Sequence, residues 1–238
     1  MPLYLGLMDQ KSIIRICSIV IGVSGVVIIF STLYPIFAYE WESAQKYPIL
    51  LSPLVDEEKG KFTFDNKDYT KLSNWFDEEP KNQNPTDSKL AYFSLTIPKL
   101  KIENAVVKIG GDDLSESLIQ LGGTALPGKT GNSVIFGHSI LPTYFNPENY
   151  LSIFSTLSTL KKDDLVYVDY DGISYQYKVE NIFEVRPSDL QILEQDVSDS
   201  FLTLVTCTPP GHPLKPKRLI VRARIIPTNV DSDNIGKT

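Results

Sequence analysis

The chain has 238 residues, with 29 Asp and Glu against 23 Lys and Arg, for a formal charge of −6. That length suits one ordinary domain plus appendages, at ~100 to 200 residues per domain. The acidic balance, without a Lys/Arg cluster interleaved with aromatics, excludes a nucleic-acid partner.

Residues 1–15 form a short segment carrying Lys11 and Arg15, and residues 16–38, Ile16 to Ala38, contain no charged side chain. About 20 apolar residues span a bilayer, so 16–38 predicts a transmembrane helix. A cleaved signal peptide is the rival. The run exceeds the ~7 to 15 residues of a signal core, and Ala38-Tyr39-Glu40 offers no small-x-small cleavage site, so an uncleaved anchor is expected. Lys11 and Arg15 lie before the span and Glu40 and Glu42 after it, which puts the N-terminus in the cytoplasm and everything beyond Tyr39 outside the cell membrane.

Residues 39–89 turn polar, with Pro48, Pro53, Pro80 and Pro85 and the acidic run Asp56-Glu57-Glu58, as in an extracellular stalk. Phe62, Phe64, Tyr69, Trp75 and Phe76 are too many aromatics for a pure linker, so part of this appendage is expected to pack onto the domain that follows.

Residues 90–228 carry that domain, and 229–238 read as a flexible tail. Alternating or apolar runs predict strands at Tyr92–Ile97, Ile102–Ile109, Ser133–Phe136, Leu165–Tyr170, Ile173–Val185, Phe201–Val205 and Arg218–Ile226. Asp171-Gly172 between two runs signals a tight hairpin. Leucine and isoleucine at helical spacing predict short helices over 114–121 and 151–160. Many short strands with few helices argue a mainly β fold, a closed or nearly closed barrel of about eight strands.

The chemistry concentrates in SFLTLVTCTPPGHPLKPKRLIVRARII, Ser200 to Ile226. Cys207 ends a strand that Pro209, Pro210 and Gly211 stop. With Cys17 inside the anchor, Cys207 has no intrachain partner, and a lone thiol outside the membrane points to reactivity. A nucleophilic cysteine needs a base, and a donor for the oxyanion formed when it attacks a carbonyl. Two histidines are available as base. His138 follows an apolar strand in GNSVIFGHS, and His212 lies in the Pro-rich loop after the cysteine. Arg218, Arg222 and Arg224 share one face of the last strand. If that strand runs antiparallel to the cysteine strand, Arg218 lies nearest Cys207 and Arg222 some ~13 Å further along, at ~3.3 Å per residue.

LVTC followed by an Arg at the start of the next strand resembles the TLxTC and Arg signature of sortases, membrane-anchored cysteine transpeptidases of the bacterial surface. ALPGKTGNSVIFGHS is similar to the sortase segment in which a Gly-His pair ends a barrel strand beside the cysteine. IPKLKIENAVVKIG and KKDDLVYVDYDGISYQYKV resemble the family's early strand pair and central hairpin. The resemblance covers roughly 90–226. It implies catalytic roles for His138, Cys207 and Arg218, and cleavage of an LPxTG-like sorting signal through a thioester on Cys207. The acyl group would pass to an amine of the cell wall or of a pilin. Partners would be signal-bearing surface proteins or pilins. Thr206, beside the cysteine, and His212 are candidate substrate contacts, and the chain departs from the family pattern in its Pro-rich loop after Cys207.

In pilus-building sortases a lid with an Asp and an aromatic plugs the active site. Trp75-Phe76-Asp77 resembles it in a different order, and the expectation here is an appendage that simply packs. Some sortases bind Ca²⁺ through loop carboxylates, for which Asp112, Asp113, Glu116, Glu194, Asp196 and Asp199 would be the donors. No EF-hand spacing occurs, so no metal or other cofactor is assigned. A hydrolytic cysteine peptidase of papain type would place its cysteine at a helix start with the histidine far downstream, the reverse of the order here. A non-catalytic anchored β-barrel binding module would not need thiol, imidazole and guanidinium together.

Overall fold

The computed structural model describes residues 10–47, 67–76 and 90–227. Pro48, Pro53, Pro80, Pro85, Phe62, Phe64, Asp77 and the tail 229–238 lie outside the described residues. Two compact units divide at Ser43/Ala44.

The first unit is built on helix α1, Gln10–Lys46, whose 37 residues extend about 55 Å at a rise of about 1.5 Å each. It contains the whole uncharged span. Large apolar side chains such as Ile21, Phe30 and Phe37 stand exposed along it, as a helix surrounded by lipid requires. Ser18, Ser24, Ser31 and Thr32 donate their hydroxyl protons to carbonyls three or four residues earlier. Their polar groups are thereby satisfied within the helix. The helix is a candidate membrane anchor.

The second unit is a closed barrel of eight strands in the order β1-β2-β3-β4-β7-β8-β6-β5. The strands are β1 Tyr92–Ile97, β2 Ile102–Ile109, β3 Leu118–Gln120, β4 Gly131–Phe136, β5 Leu165–Tyr170, β6 Ile173–Val185, β7 Ser200–Thr208 and β8 Lys217–Ile225. Pairs β2/β3 and β4/β7 run parallel and the others antiparallel. Closure leaves no open edge. The β5/β6 hairpin turns on Asp171 and Gly172, both at positive φ (53° and 75°), the geometry that a two-residue Asp-Gly turn supplies.

Strand alternation sorts the apolar residues into two clusters. Leu118, Ile135, Leu202, Leu204, Leu219, Val221 and Ala223 point into the barrel. Their neighbours Ile119, Val134, Phe136, Val205, Cys207 and Ile220 point outward into a second cluster, completed by Leu72, Trp75 and Phe76 of the appendage and by Ile192 of the β6/β7 loop. The second cluster is what positions the site, because it buries the outer face of β4, β7 and β8 beneath the appendage.

Two expected helices are absent. The first expected range, 114–121, contains strand β3, whose Leu118, Ile119 and Gln120 pair with β2 and whose Ile119 and Gln120 pair also with β4. The second, 151–160, is a run of turns with one short 3-10 turn, Leu157–Thr159. In both, tertiary pairing or packing of the leucines outweighs a helical spacing too short to nucleate a helix alone.

Candidate active site

β7 and β8 pair antiparallel in a register that sets Cys207 directly opposite Arg218. Both side chains leave the barrel on its outer face. β4 runs parallel beside β7 and brings up the third group, since its continuation is stitched to the cysteine strand. Gly137 N–H donates to the Val205 carbonyl (3.1 Å), Thr206 Oγ1 donates to the Gly137 carbonyl (2.8 Å) and Ser139 Oγ to the Cys207 carbonyl (2.7 Å). His138 is held between these ties. Gly137 is required there, because a Cβ would lie 2.3 Å from a Phe154 ring carbon.

All three groups are covered. Cys207 is 0%, Arg218 1% and His138 7% exposed. The cover is the segment 67–76, fixed to the barrel at Asp112–Leu114. Leu72 N–H donates to the Asp112 carbonyl and Leu114 N–H to the Thr70 carbonyl, both 2.8 Å. Ser73 N–H donates to Asp112 Oδ1 (2.7 Å), and Lys71 Nζ pairs with Asp113 Oδ2 (2.7 Å). Two of the acidic residues considered for Ca²⁺ are thus engaged with this segment. Trp75 and Phe76 then meet the Phe136 ring edge-on, with centroids 5.6 and 5.8 Å away.

The appendage does more than pack. Arg218 Nε and Nη2 both donate to the Trp75 carbonyl oxygen (3.0 and 2.5 Å), while Nη1 donates to the Lys215 and Lys217 carbonyls (2.8 and 3.0 Å). The guanidinium also faces the Trp75 and Tyr69 rings at 5.5 and 5.7 Å, within cation–π range. A peptide carbonyl therefore sits in the donor fork of the arginine opposite the thiol.

Burial sets the electrostatics. It pushes the Cys207 thiol up, against the opposing pull of Arg218 and then Lys215. Burial first, and the Lys215 charge second, lower the His138 imidazole to about 4, with Asp68 opposing. The covered site thus holds a neutral thiol and a neutral imidazole. Lys215 was not legible as part of the site from sequence, yet its Nζ lies 3.4 Å from His138 Nε2 and 5.0 Å above the Tyr69 ring. Glu184 is a second such residue. Buried at 1% exposure, it accepts from Lys217 Nζ (3.1 Å) and Thr208 Oγ1 (3.4 Å), tying together the residues that follow Cys207 and precede Arg218.

The two candidate substrate contacts are otherwise engaged. Thr206 spends its hydroxyl on the Gly137 carbonyl. His212 Nδ1 accepts from Leu214 N–H (3.1 Å) and shapes the loop.

A model of the sortase domain matches residues 95–226, more than half of the chain. Sortase A of Bacillus anthracis is 27% identical over 201 residues, covering 84% of this chain and 89% of that protein. Among solved structures, sortase C-1 of Actinomyces oris is 30% identical with a TM-score of 0.51, covering 59% of this chain and 76% of that one. A pilus-related sortase C of Group B Streptococcus is 27% identical with a TM-score of 0.51, covering 63% and 78%. An eight-stranded mixed barrel with a single N-terminal apolar helix agrees with these likenesses in sequence and fold, and the chain belongs to the sortase family of transpeptidases.

Proposed function

We propose that the protein cleaves an LPxTG-like sorting signal and transfers its acyl part to an amine, using Cys207 as nucleophile, His138 as acid and base, and Arg218 as the carbonyl-binding donor. The observation that carries this is the Cys207–Arg218 register together with the peptide carbonyl of Trp75 in the arginine's fork. A group that binds one backbone carbonyl opposite the thiol is suited to bind another, including one gaining negative charge.

Once the segment 67–76 gives way to a signal peptide, the thiol proton passes to His138 and the thiolate attacks the carbonyl carbon of the signal's threonine. The bond to the following glycine breaks as His138 returns the proton to the departing amine. The acyl group then rests on Cys207 as a thioester. An incoming amine attacks it, gives its proton to the imidazole and leaves the thiol restored. The acceptor is an amine of the cell wall or a pilin lysine. The helix 10–46 would anchor the enzyme, with Lys11 and Arg15 on the cytoplasmic side and the barrel outside.

The test is to incubate the full chain with a library of sorting-signal peptides and an amine acceptor, and to follow peptide and protein by mass spectrometry. Cleavage between threonine and glycine, an acyl adduct on Cys207 and an amide product are expected. Cleavage that persists in Cys207→Ala would overturn the assignment.

A further inference from the structure

One contact in the covered site has no part in the transfer chemistry. Lys215 Nζ approaches His138 Nε2 to 3.4 Å. An ammonium and an imidazolium are both pure donors and cannot share a hydrogen bond, so one of the two is unprotonated. An imidazole ordinarily releases its proton about four pH units below an ammonium. His138 is therefore the neutral partner, with Nε2 accepting and the proton on Nδ1. That Nδ1 has no hydrogen-bond partner among the described residues. In this state neither ring nitrogen has a free lone pair, so the imidazole cannot take a proton from the thiol.

What holds the lysine there belongs partly to the cover. The Tyr69 ring lies under the ammonium at 5.0 Å, and the Tyr69 hydroxyl donates to the carbonyl of Leu214, the preceding residue (3.3 Å). On the barrel side Arg218 Nη1 holds the Lys215 carbonyl (2.8 Å). The charged groups that act on His138 come from two elements: Lys215 in the loop between β7 and β8, and Asp68 on the cover. Among these the Asp68 carboxylate is the one that favours a protonated ring.

We propose that Lys215 is a positioning residue that, with Tyr69 stacked on its ammonium, fixes His138 as the Nδ1–H tautomer and blocks it as a base while the segment 67–76 covers the thiol. When Tyr69 leaves with the segment, Lys215 loses its aromatic support and frees Nε2. The inference rests on the proposed function only in taking His138 as the acid and base.

The test uses the full chain in detergent micelles with ¹⁵N-labelled histidine, read by long-range ¹H–¹⁵N spectra that distinguish the two tautomers. His212→Gln identifies the His138 signals. At pH 7 the wild type is expected to show the Nδ1–H form, with protonation delayed to well below the ordinary imidazole range. Lys215→Met should remove the tautomer preference and raise the titration midpoint by about one pH unit or more. Lys215→Arg, which keeps a donor and a charge, should behave as wild type, and Tyr69→Ala should move part of the way towards Lys215→Met. An Nε2–H tautomer in the wild type overturns the proposal without any variant. An unchanged tautomer and midpoint in Lys215→Met does so too. Peptide transfer measured on the same preparation is independent of these spectra, so loss of the enzymatic reading and loss of this one are told apart.

Discussion

The two ends of the β7/β8 ladder present the same residue types on the same face and put them to different uses. At one end Arg218 is fully buried, opposite Cys207, and its donors go to backbone carbonyls. At the other, Arg222 lies opposite Thr203 and reaches its hydroxyl at 3.4 Å and the Ile192 carbonyl at 3.3 Å. Arg224 is exposed and pairs with Glu180 (2.7 Å) and Asp199 (3.6 Å). A carboxylate partner neutralises an arginine and occupies its fork, whereas a carbonyl partner leaves the charge intact and is exchangeable for another carbonyl. Strand parity groups all three arginines and cannot tell them apart; register separates Arg222, which lies opposite Thr203 and not Cys207, and the two carboxylates separate Arg224.

The comparison breaks most sharply at the thiol. Cys207→Ala should abolish both cleavage and transfer, to below a few per cent of wild type in a peptide assay, because the proposed acyl enzyme forms on its sulfur. Its cost to the fold should be about 1 kcal/mol, comparable to one buried methylene, since the sulfur lies in the outer cluster beneath the appendage and not on an open strand tip.

Arg218→Ala should lower transfer by about 10² or more, the usual loss for an oxyanion donor, while Arg222→Ala stays within several-fold. Matched kinetics on folded variants decide this, and a larger loss in Arg222→Ala would overturn the contrast between the two ends.

How much of this was legible in the residues differs by level. Seven of the eight strands follow from alternation or apolar runs, because side chains on a barrel strand divide between inside and outside. Strand β3 was not readable, since three residues between two partners carry no period of their own and their leucines mimic a helix face. Cys207 and the arginine row were suggested by residue types at strand ends, His138 was chosen over His212 only through the resemblance to the sortase Gly-His segment, and the antiparallel register needed to set Arg218 against the thiol could be anticipated from the loop between the two strands. The Trp75 carbonyl could not, because a backbone oxygen leaves no mark in a sequence. Nor could Lys215, since a lysine in a Pro-rich loop reads as solvated until the fold sets it against His138 and the Tyr69 ring. The one available signal was the density of aromatics in the appendage, which predicts packing but not what the packing covers.

Acid should separate the ends as well. His138 is held at about 4 against an ordinary 6.5, so between those values the unfolded chain binds a proton that the covered site refuses. The corresponding stability is complete above about pH 6.5 and is lost as pH falls through about 4. At the far end Asp196, near Arg222 and Arg224, is lowered from 3.8, chiefly by its bonds to Ser198, so its contribution fades only at lower pH. Thermal melts of wild type and His138→Gln between pH 7 and pH 4 should therefore diverge, the wild type falling faster as the solution is acidified. Parallel curves would mean that the imidazole is not held neutral by the cover.

The smallest effect is expected at Arg224. Its ion pair with Glu180 joins side chains that are 49% and 31% exposed, and the longer contact to Asp199 joins side chains 49% and 37% exposed. Exposed pairs of this kind contribute at most about 1 kcal/mol, because water already solvates both charges and ordering two long side chains costs entropy. Arg224 also lies over the Phe201 ring at 5.1 Å, a contact whose apolar part survives in Arg224→Met. That variant should leave transfer unchanged and lower the melting temperature by no more than about 2 to 4 °C. Raising the salt to about 1 M, where the screening length falls to about 3 Å, should shrink the difference further. A loss of transfer in Arg224→Met at unchanged stability would show that charge at the far end of the ladder reaches the thiol, and the separation between the two ends would then fail.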